Sequence, residues 1–169
     1  MNYLIVIDMQ VDFINGALGS NQAMAIVPVV ADKVKSFNGR VIFTRDTHLD
    51  NYLQTQEGKN LPIPHCIKNT DGWHICDELK QYAETVIDKQ TFGSMELPKV
   101  INEFNENVEQ IELCGLCTDI CVISNAMILK SAFPEAKIIV DATCCAGVTV
   151  ESHNTALNAM KDAQIEIIE

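Results

Sequence analysis

The sequence predicts a three-layer α/β/α fold, a six-stranded, mostly parallel sheet with helices on both faces. Three observations carry this. Short apolar runs alternate with amphipathic segments from one end of the chain to the other. Several of those runs are rich in Ile and Val without clean alternation, as strands buried on both faces are. The connections are short, so successive strands come to lie parallel beneath covering helices.

The elements follow in order. Residues 3–7 form the first expected strand, which Asp8 ends. Gly16-Ala17-Leu18-Gly19-Ser20 reads as a turn, because it lacks the Lys of a phosphate-binding loop and precedes no immediate helix. Val27, Val30, Ala31, Val34 and Phe37 recur at helical spacing, Pro28 suits a first helical turn, and Asn38-Gly39 closes the segment. Residues 40–44 are the second strand. The stretch 46–77 is irregular and full of turn formers (Glu57-Gly58-Lys59-Asn60, Pro62, Pro64, Asp71-Gly72). A loop of that length in a compact domain is functional or disordered, and its freedom from low complexity favours an ordered active-site wall. Strands are expected at 85–88, 110–114, 137–140 and 164–168, and helices at 95–104, 119–132 and 150–163. Cys144-Cys145 reads as packing in a small-residue turn. With no linker and no internal repeat, residues 1–169 are expected to form a single domain.

Composition narrows the function. Twelve Lys and Arg against 23 Asp and Glu give a formal charge of −11, without a basic run, which disfavours nucleic acid and anionic membranes as partners. The apolar stretch after Met1 is too short for a signal peptide or a membrane span, so a cytoplasmic location with reduced thiols is expected.

In open parallel sheets, ligands bind beyond the carboxyl ends of the strands. Asp8 and Lys89 fall there, and Gly115-Leu116-Cys117-Thr118-Asp119-Ile120-Cys121 follows the fourth strand, so a carboxylate, an ammonium and a thiol gather at one end of the sheet. Those are the parts of an activated nucleophile. With Thr118 or Asp119 capping the following helix, Cys121 would lie in its first turn, where the free N–H groups and Lys89 would lower the thiol pKa toward neutrality. Asp8 could accept the thiol proton. A buried Cys121 serving only as a small hydrophobe is the competing reading, and Asp8 and Lys89 weigh against it. Phe13 is the aromatic best placed against a flat substrate, and Leu116 is the other candidate substrate contact.

A second constellation, Asp46, His48 and His65, offers a carboxylate and two imidazoles, which suit Zn, Fe or Mn. The alternative is that these groups hydrogen-bond one another and tie down the long loop. His74 and His153 lack comparable partners and read as structural or surface residues. No organic cofactor is expected.

These segments resemble the isochorismatase-like cysteine hydrolase superfamily, which includes nicotinamidases and N-carbamoylsarcosine amidases, and the resemblance spans nearly the whole chain. Ile7-Asp8-Met9-Gln10-Val11-Asp12-Phe13, Phe43-Thr44-Arg45-Asp46-Thr47-His48, Pro64-His65-Cys66 and Gly115-Leu116-Cys117-Thr118-Asp119-Ile120-Cys121-Val122 carry it, the last being the most specific. It implies a triad of Asp8, Lys89 and Cys121. It also implies a cis peptide between Leu116 and Cys117, an oxyanion hole from the N–H groups of Cys117 and Cys121, and a metal on Asp46, His48 and His65. A homo-oligomer is implied as well. Where nicotinamidases carry a Trp shortly before the second His, this chain has Leu61-Pro62-Ile63-Pro64, with no aromatic nearer than Tyr52 or Trp73. Isochorismatases proper lack the cysteine, so Cys121 argues against vinyl-ether cleavage.

The resulting expectation is an amidase-type cysteine hydrolase that cleaves a small amide through a thioester, nicotinamidase-like in substrate. The alternatives are hydrolysis of an N-carbamoyl or ureido compound by the same triad, a metal-bound, non-catalytic small-molecule binder, or a thiol redox protein using Cys117 and Cys121.

Overall fold

The computed structural model describes residues 1–169. In chain order the elements are β1 (Asn2–Ile7), the single turn α1 (Val11–Ile14), α2 (Asn21–Ser36), β2 (Arg40–Asp46), the short α3 (Gln56–Asn60), β3 (Val86–Lys89), α4 (Glu96–Glu103), β4 (Gln110–Leu116), α5 (Ile123–Ala132), β5 (Lys137–Ala146), α6 (Val150–Asp162) and β6 (Glu166–Ile168). All six strands pair in parallel, in the order β3-β2-β1-β4-β5-β6. The chain therefore winds outward from β1 to one edge, then crosses to β4 and winds to the other. Right-handed crossovers in that order put α2 on one face and α4, α5 and α6 on the opposite face, which gives the expected three layers. The switch in direction between β1 and β4 opens the crevice where such sheets bind ligands.

The central strands explain the sheet's burial. Tyr3 to Ile7 are all fully buried, as a strand covered on both faces must be. Gly115 has φ 114°, a region L side chains rarely adopt, and a Cβ there would lie 2.1 Å from the Ile7 carbonyl oxygen. Glycine lets β4 close against β1 just before the Cys117–Cys121 segment.

Three local expectations are corrected. Helix α2 begins at Asn21, seven residues upstream of Pro28, which lies in its interior rather than its first turn. The Ser20 hydroxyl, accepting from the Ala23 N–H at 3.0 Å, starts the helix, so the turn at 16–20 leads directly into it. Strand β5 runs on to Ala146, and Cys144 and Cys145 are buried strand residues; a bulge between Leu113 and Gly115 re-registers β4 for this extension. The 119–132 segment is not one helix. It opens with a five-residue π turn, Thr118–Val122, before α5 begins.

The 46–77 stretch is ordered. Tyr52, Cys66, Trp73 and Ile75 are buried along it. Bridges join His48 to Ile67 and Gln10 to Ile75. Asp12 Oδ2 accepts from the Cys66 N–H at 2.8 Å, tethering the loop near the end of β1. No helix is long and apolar enough to cross a membrane.

Candidate active site

The ends of β1, β2 and β3 and the segment after β4 meet at the sheet's switch point. Asp8 directly follows β1, at φ 46°, and is fully buried. The Thr44 hydroxyl, on neighbouring β2, donates to Asp8 Oδ1 at 2.7 Å. Lys89, the last residue of β3, sends Nζ to within 2.6 Å of Asp8 Oδ2, 3.3 Å of Asp46 Oδ1 and 3.5 Å of Cys121 Sγ. It also donates to the Thr91 carbonyl at 3.0 Å. The Lys89 ammonium is the partner of Asp8 Oδ2, while Thr44 holds Oδ1.

The electrostatics of the three groups are set by burial and by one another. Burial, reinforced by the Asp8 carboxylate, pushes the Cys121 thiol well above its ordinary range, and Lys89 offsets this only in part. The push on the sulfur thus runs opposite to the lowering that a helix-start position alone would give. Burial also raises the Asp8 pKa, against the pull of Lys89 and with the push of Asp46. Burial alone would lower the Lys89 pKa, but Asp8, Cys121 and Asp46 outweigh it and the ammonium stays charged.

The turn carrying Cys121 is built from the backbone. The Leu116–Cys117 peptide is cis, as expected. The Cys117 carbonyl accepts from the N–H groups of Ile120 and Val122 at 3.1 and 3.0 Å and passes over the Cys121 N–H between them. Neither expected cap forms. Thr118 Oγ1 is hydrogen-bonded to His153 Nδ1 at 2.7 Å, so His153 has a partner after all, and Asp119 Oδ1 accepts from the Val148 N–H at 3.1 Å. Buried Asn125 locks the turn from below. Its amide donates to the carbonyls of Cys121 (2.8 Å) and Phe92 (3.0 Å) and accepts from the Ser94 N–H (2.9 Å).

Beside this trio, Asp46, His48 and His65 converge as expected, and Glu57 of α3 joins them. The ligating atoms of all four lie within 4.8 Å of one another. His48 Nε2 is 3.0 Å from Asp46 Oδ2 and 3.5 Å from Glu57 Oε1, and His65 Nε2 is 3.6 and 3.7 Å from the same atoms. Four ligands at about 2.0–2.1 Å from a tetrahedral ion are separated by roughly 3.3–3.4 Å, so the spacing fits a Zn-sized centre. The His65 Nδ1 lies 2.9 Å from the Ile63 carbonyl, which as acceptor fixes Nδ1–H and leaves the Nε2 lone pair inward. Burial raises the Glu57 pKa and nearby Asp46 adds to it. Burial works against Asp46 too, yet the His48 and His65 contacts and Lys89 hold its carboxyl far below the usual range. Gln10, fully buried, clamps Asp46 by accepting from its N–H (2.7 Å) and donating to its carbonyl (2.8 Å).

Comparison with known proteins decides the family. The profile described as "Isochorismatase domain" matches residues 2–169. The chain belongs to the isochorismatase family. Among curated relatives of this family member, a nicotinamidase from Schizosaccharomyces pombe is 27% identical over 207 aligned residues, covering 98% of this chain and 91% of that one. A nicotinamidase/pyrazinamidase from Mycobacterium tuberculosis is 26% identical, covering 99% and 98%. A crystal structure of the pyrazinamidase of Pyrococcus horikoshii in complex with zinc superposes with a TM-score of 0.86 at 27% identity, covering 99% and 98% of the two chains.

Most of the residues singled out in this isochorismatase-family sequence are brought together. A small cavity of about 50 Å³ at Cys121 is bounded by Phe13, Cys117, Asp46 and His65, among others. Leu116 bounds the neighbouring cavity instead. Sequence reasoning missed Glu57, Phe92, Gln10 and Asn125. Phe92 lies just past β3, and its position three residues after Lys89 was the available signal for a wall residue. Glu57 sat within a run of turn formers. Trp73 is buried elsewhere, with Arg45 stacked 3.4 Å from its ring centre. Tyr52 packs on the His48 and His65 rings, at 4.7 and 5.1 Å between centres, as a scaffold for the cluster.

Proposed function

We propose that this chain hydrolyses the C–N bond of a small carboxamide, nicotinamidase-like, through a Cys121 thioester, with Asp8 as proton carrier. The observation that carries the reading is the single Lys89 ammonium set 2.6 Å from Asp8 and 3.5 Å from Cys121 in a crevice at the sheet's switch point. The nicotinamidase and pyrazinamidase names of its relatives support the same chemistry.

In this mechanism the Cys121 S–H proton passes to Asp8 as sulfur attacks the amide carbonyl carbon. The raised pKa of Asp8 suits a group that must gain and then lose a proton. The N–H groups of Cys117 and Cys121 hold the oxyanion; the bypassed Cys121 N–H is the stronger support, and each such donor is worth roughly 3–4 kcal/mol of barrier. Protonated Asp8 delivers its proton to the departing nitrogen and ammonia leaves. Asp8 then removes a proton from water, whose oxygen attacks the thioester, and the acid product departs with the Cys121 S–H restored. Lys89 keeps the Asp8 carboxylate and the transient thiolate compatible. Thr44 fixes Asp8 Oδ1, and Oδ2, on the Lys89 side, is the oxygen that takes the proton.

Asp46, His48, Glu57 and His65 fit a divalent ion, and the zinc complex of the Pyrococcus relative supports that assignment. When bound, such an ion would supply fixed positive charge beside the nucleophile pocket. The seven unpaired cysteines agree with a cytoplasmic location.

The test is ammonia release from nicotinamide by wild type and Cys121→Ala, with mass spectrometry of the quenched enzyme. The expected result is a loss of about 10³-fold or more in the variant and an acyl adduct on the Cys121 peptide of the wild type. A fully active Cys121→Ala enzyme overturns the proposal.

A further inference from the structure

The cavity at Cys121 is not the end of the crevice. Its wall of Phe13, Leu18, Leu61, Cys117 and Ile120 is shared with a second cavity of about 380 Å³. That cavity runs on between the first turn of α2 (Ser20, Ala23) and the β5–α6 connection (Gly147, Val148). Its volume is within the roughly 300–1,000 Å³ of small-molecule sites, whereas the space at the nucleophile holds little more than a reacting group.

The chemistry of the two spaces differs. Beside Cys121, Asp46, Glu57 and His65 line one side. The larger cavity has no charged side chain at all. Of its few polar side-chain atoms, the Ser20 hydroxyl is engaged as the cap of α2. The Cys117 thiol is held in its neutral form, pushed up to about 12 by burial and by Asp119. An apolar group entering there gains by leaving water, and a charged one loses its hydration without a partner. The segment Leu61-Pro62-Ile63-Pro64 contributes only Leu61 to this wall, so no large aromatic partitions the two spaces on that side.

We infer that the preferred substrate is a carboxamide whose acyl part carries an uncharged, apolar extension, reaching past the nucleophile pocket into the cavity between α2 and the β5–α6 connection. This rests on the amidase reading and adds the substrate class to it.

The experiment measures kcat/KM for ammonia release from nicotinamide, from straight-chain amides running from propanamide to hexanamide, and from 6-amino-6-oxohexanoate, which ends in a carboxylate. The expected result is a rise of roughly fourfold per added methylene, the transfer value of a buried CH₂, with the carboxylate-ended amide at least about tenfold below hexanamide. Val148 is 61% exposed at the cavity's edge, so Val148→Asp should fold; it is expected to lower the hexanamide-to-propanamide ratio and to favour 6-aminohexanamide over hexanamide. Turnover of nicotinamide with no gain along the series, or with the carboxylate-ended amide preferred, overturns the inference and leaves the amidase reading standing. A gain along the series that Val148→Asp leaves untouched overturns the placement of the extension. No ammonia from any of these amides removes the amidase reading and the inference with it.

Discussion

Asn125 is the residue on which the two halves of the site hang together, and its removal can be costed from the structure. Its amide joins the stretch after Lys89 (Phe92 carbonyl, Ser94 N–H) to the turn bearing Cys121 (Cys121 carbonyl), and the side chain is fully buried. Asn125→Leu keeps the approximate volume and deletes all three hydrogen bonds. Each is worth about 1 kcal/mol net, and the buried Ser94 N–H left without its side-chain partner adds about 1 kcal/mol more, giving roughly 4 kcal/mol. For a chain of this size that is a fall in Tm of roughly 8–16 °C. Asn125→Asp keeps the acceptor for Ser94 but turns oxygen toward two carbonyls, so it should lose at least as much. Thermal and urea unfolding of the three proteins are the assay, with ammonia release as a second readout expected to fall as the Cys121 turn loosens. A Leu variant within about 2 °C of wild type would refute the claim that these bonds hold the site in place.

Three further outcomes are expected. Glu57→Ala should weaken zinc binding by about 10-fold or more, read by competition with a chromogenic chelator, because it removes one of four converging ligands; unchanged affinity would leave Glu57 outside the centre. Burial works against the ionised Asp141, but the Lys33 contact at 2.7 Å and the Thr143 hydrogen bond win, so its pKa is lowered on folding. A lowered folded pKa gives stability that is present above the unfolded value of about 3.9 and lost as pH falls through the folded one, so wild type should lose more stability than Asp141→Asn in urea titrations below about pH 4; parallel curves would contradict this. Iodoacetamide at about pH 6.5 should label Cys121 of the free protein slowly, since burial and Asp8 push the thiol pKa up. Rapid, selective labelling there would mean a standing thiolate and a different division of charge between Asp8 and Lys89.

The sequence by itself determined the layers and most of the side chains that gather at the candidate site. Ile/Val runs of strand length separated by amphipathic segments admit few solutions besides a covered parallel sheet. Strand-end positions then gather Asp8, Asp46 and Lys89 at one edge whatever the details. Local rules were weaker where two signals competed. Pro28 marked a helix start by propensity, yet the Ser20 cap and the apolar face of α2 carried the helix through it. The tertiary structure alone decided whatever depends on through-space distance. Glu57 becomes a candidate ligand because α3 folds back on His48 and His65. Phe92 becomes a pocket wall, and Asn125 a tie between the stretch after β3 and the turn bearing Cys121, through contacts 33 residues apart. The direction in which the Cys121 pKa is pushed belongs to the same class. A helix-start position argues for a thiolate, but a pKa is set by burial and by the nearest charges, and folding puts Asp8 and a dry interior around the sulfur along with Lys89.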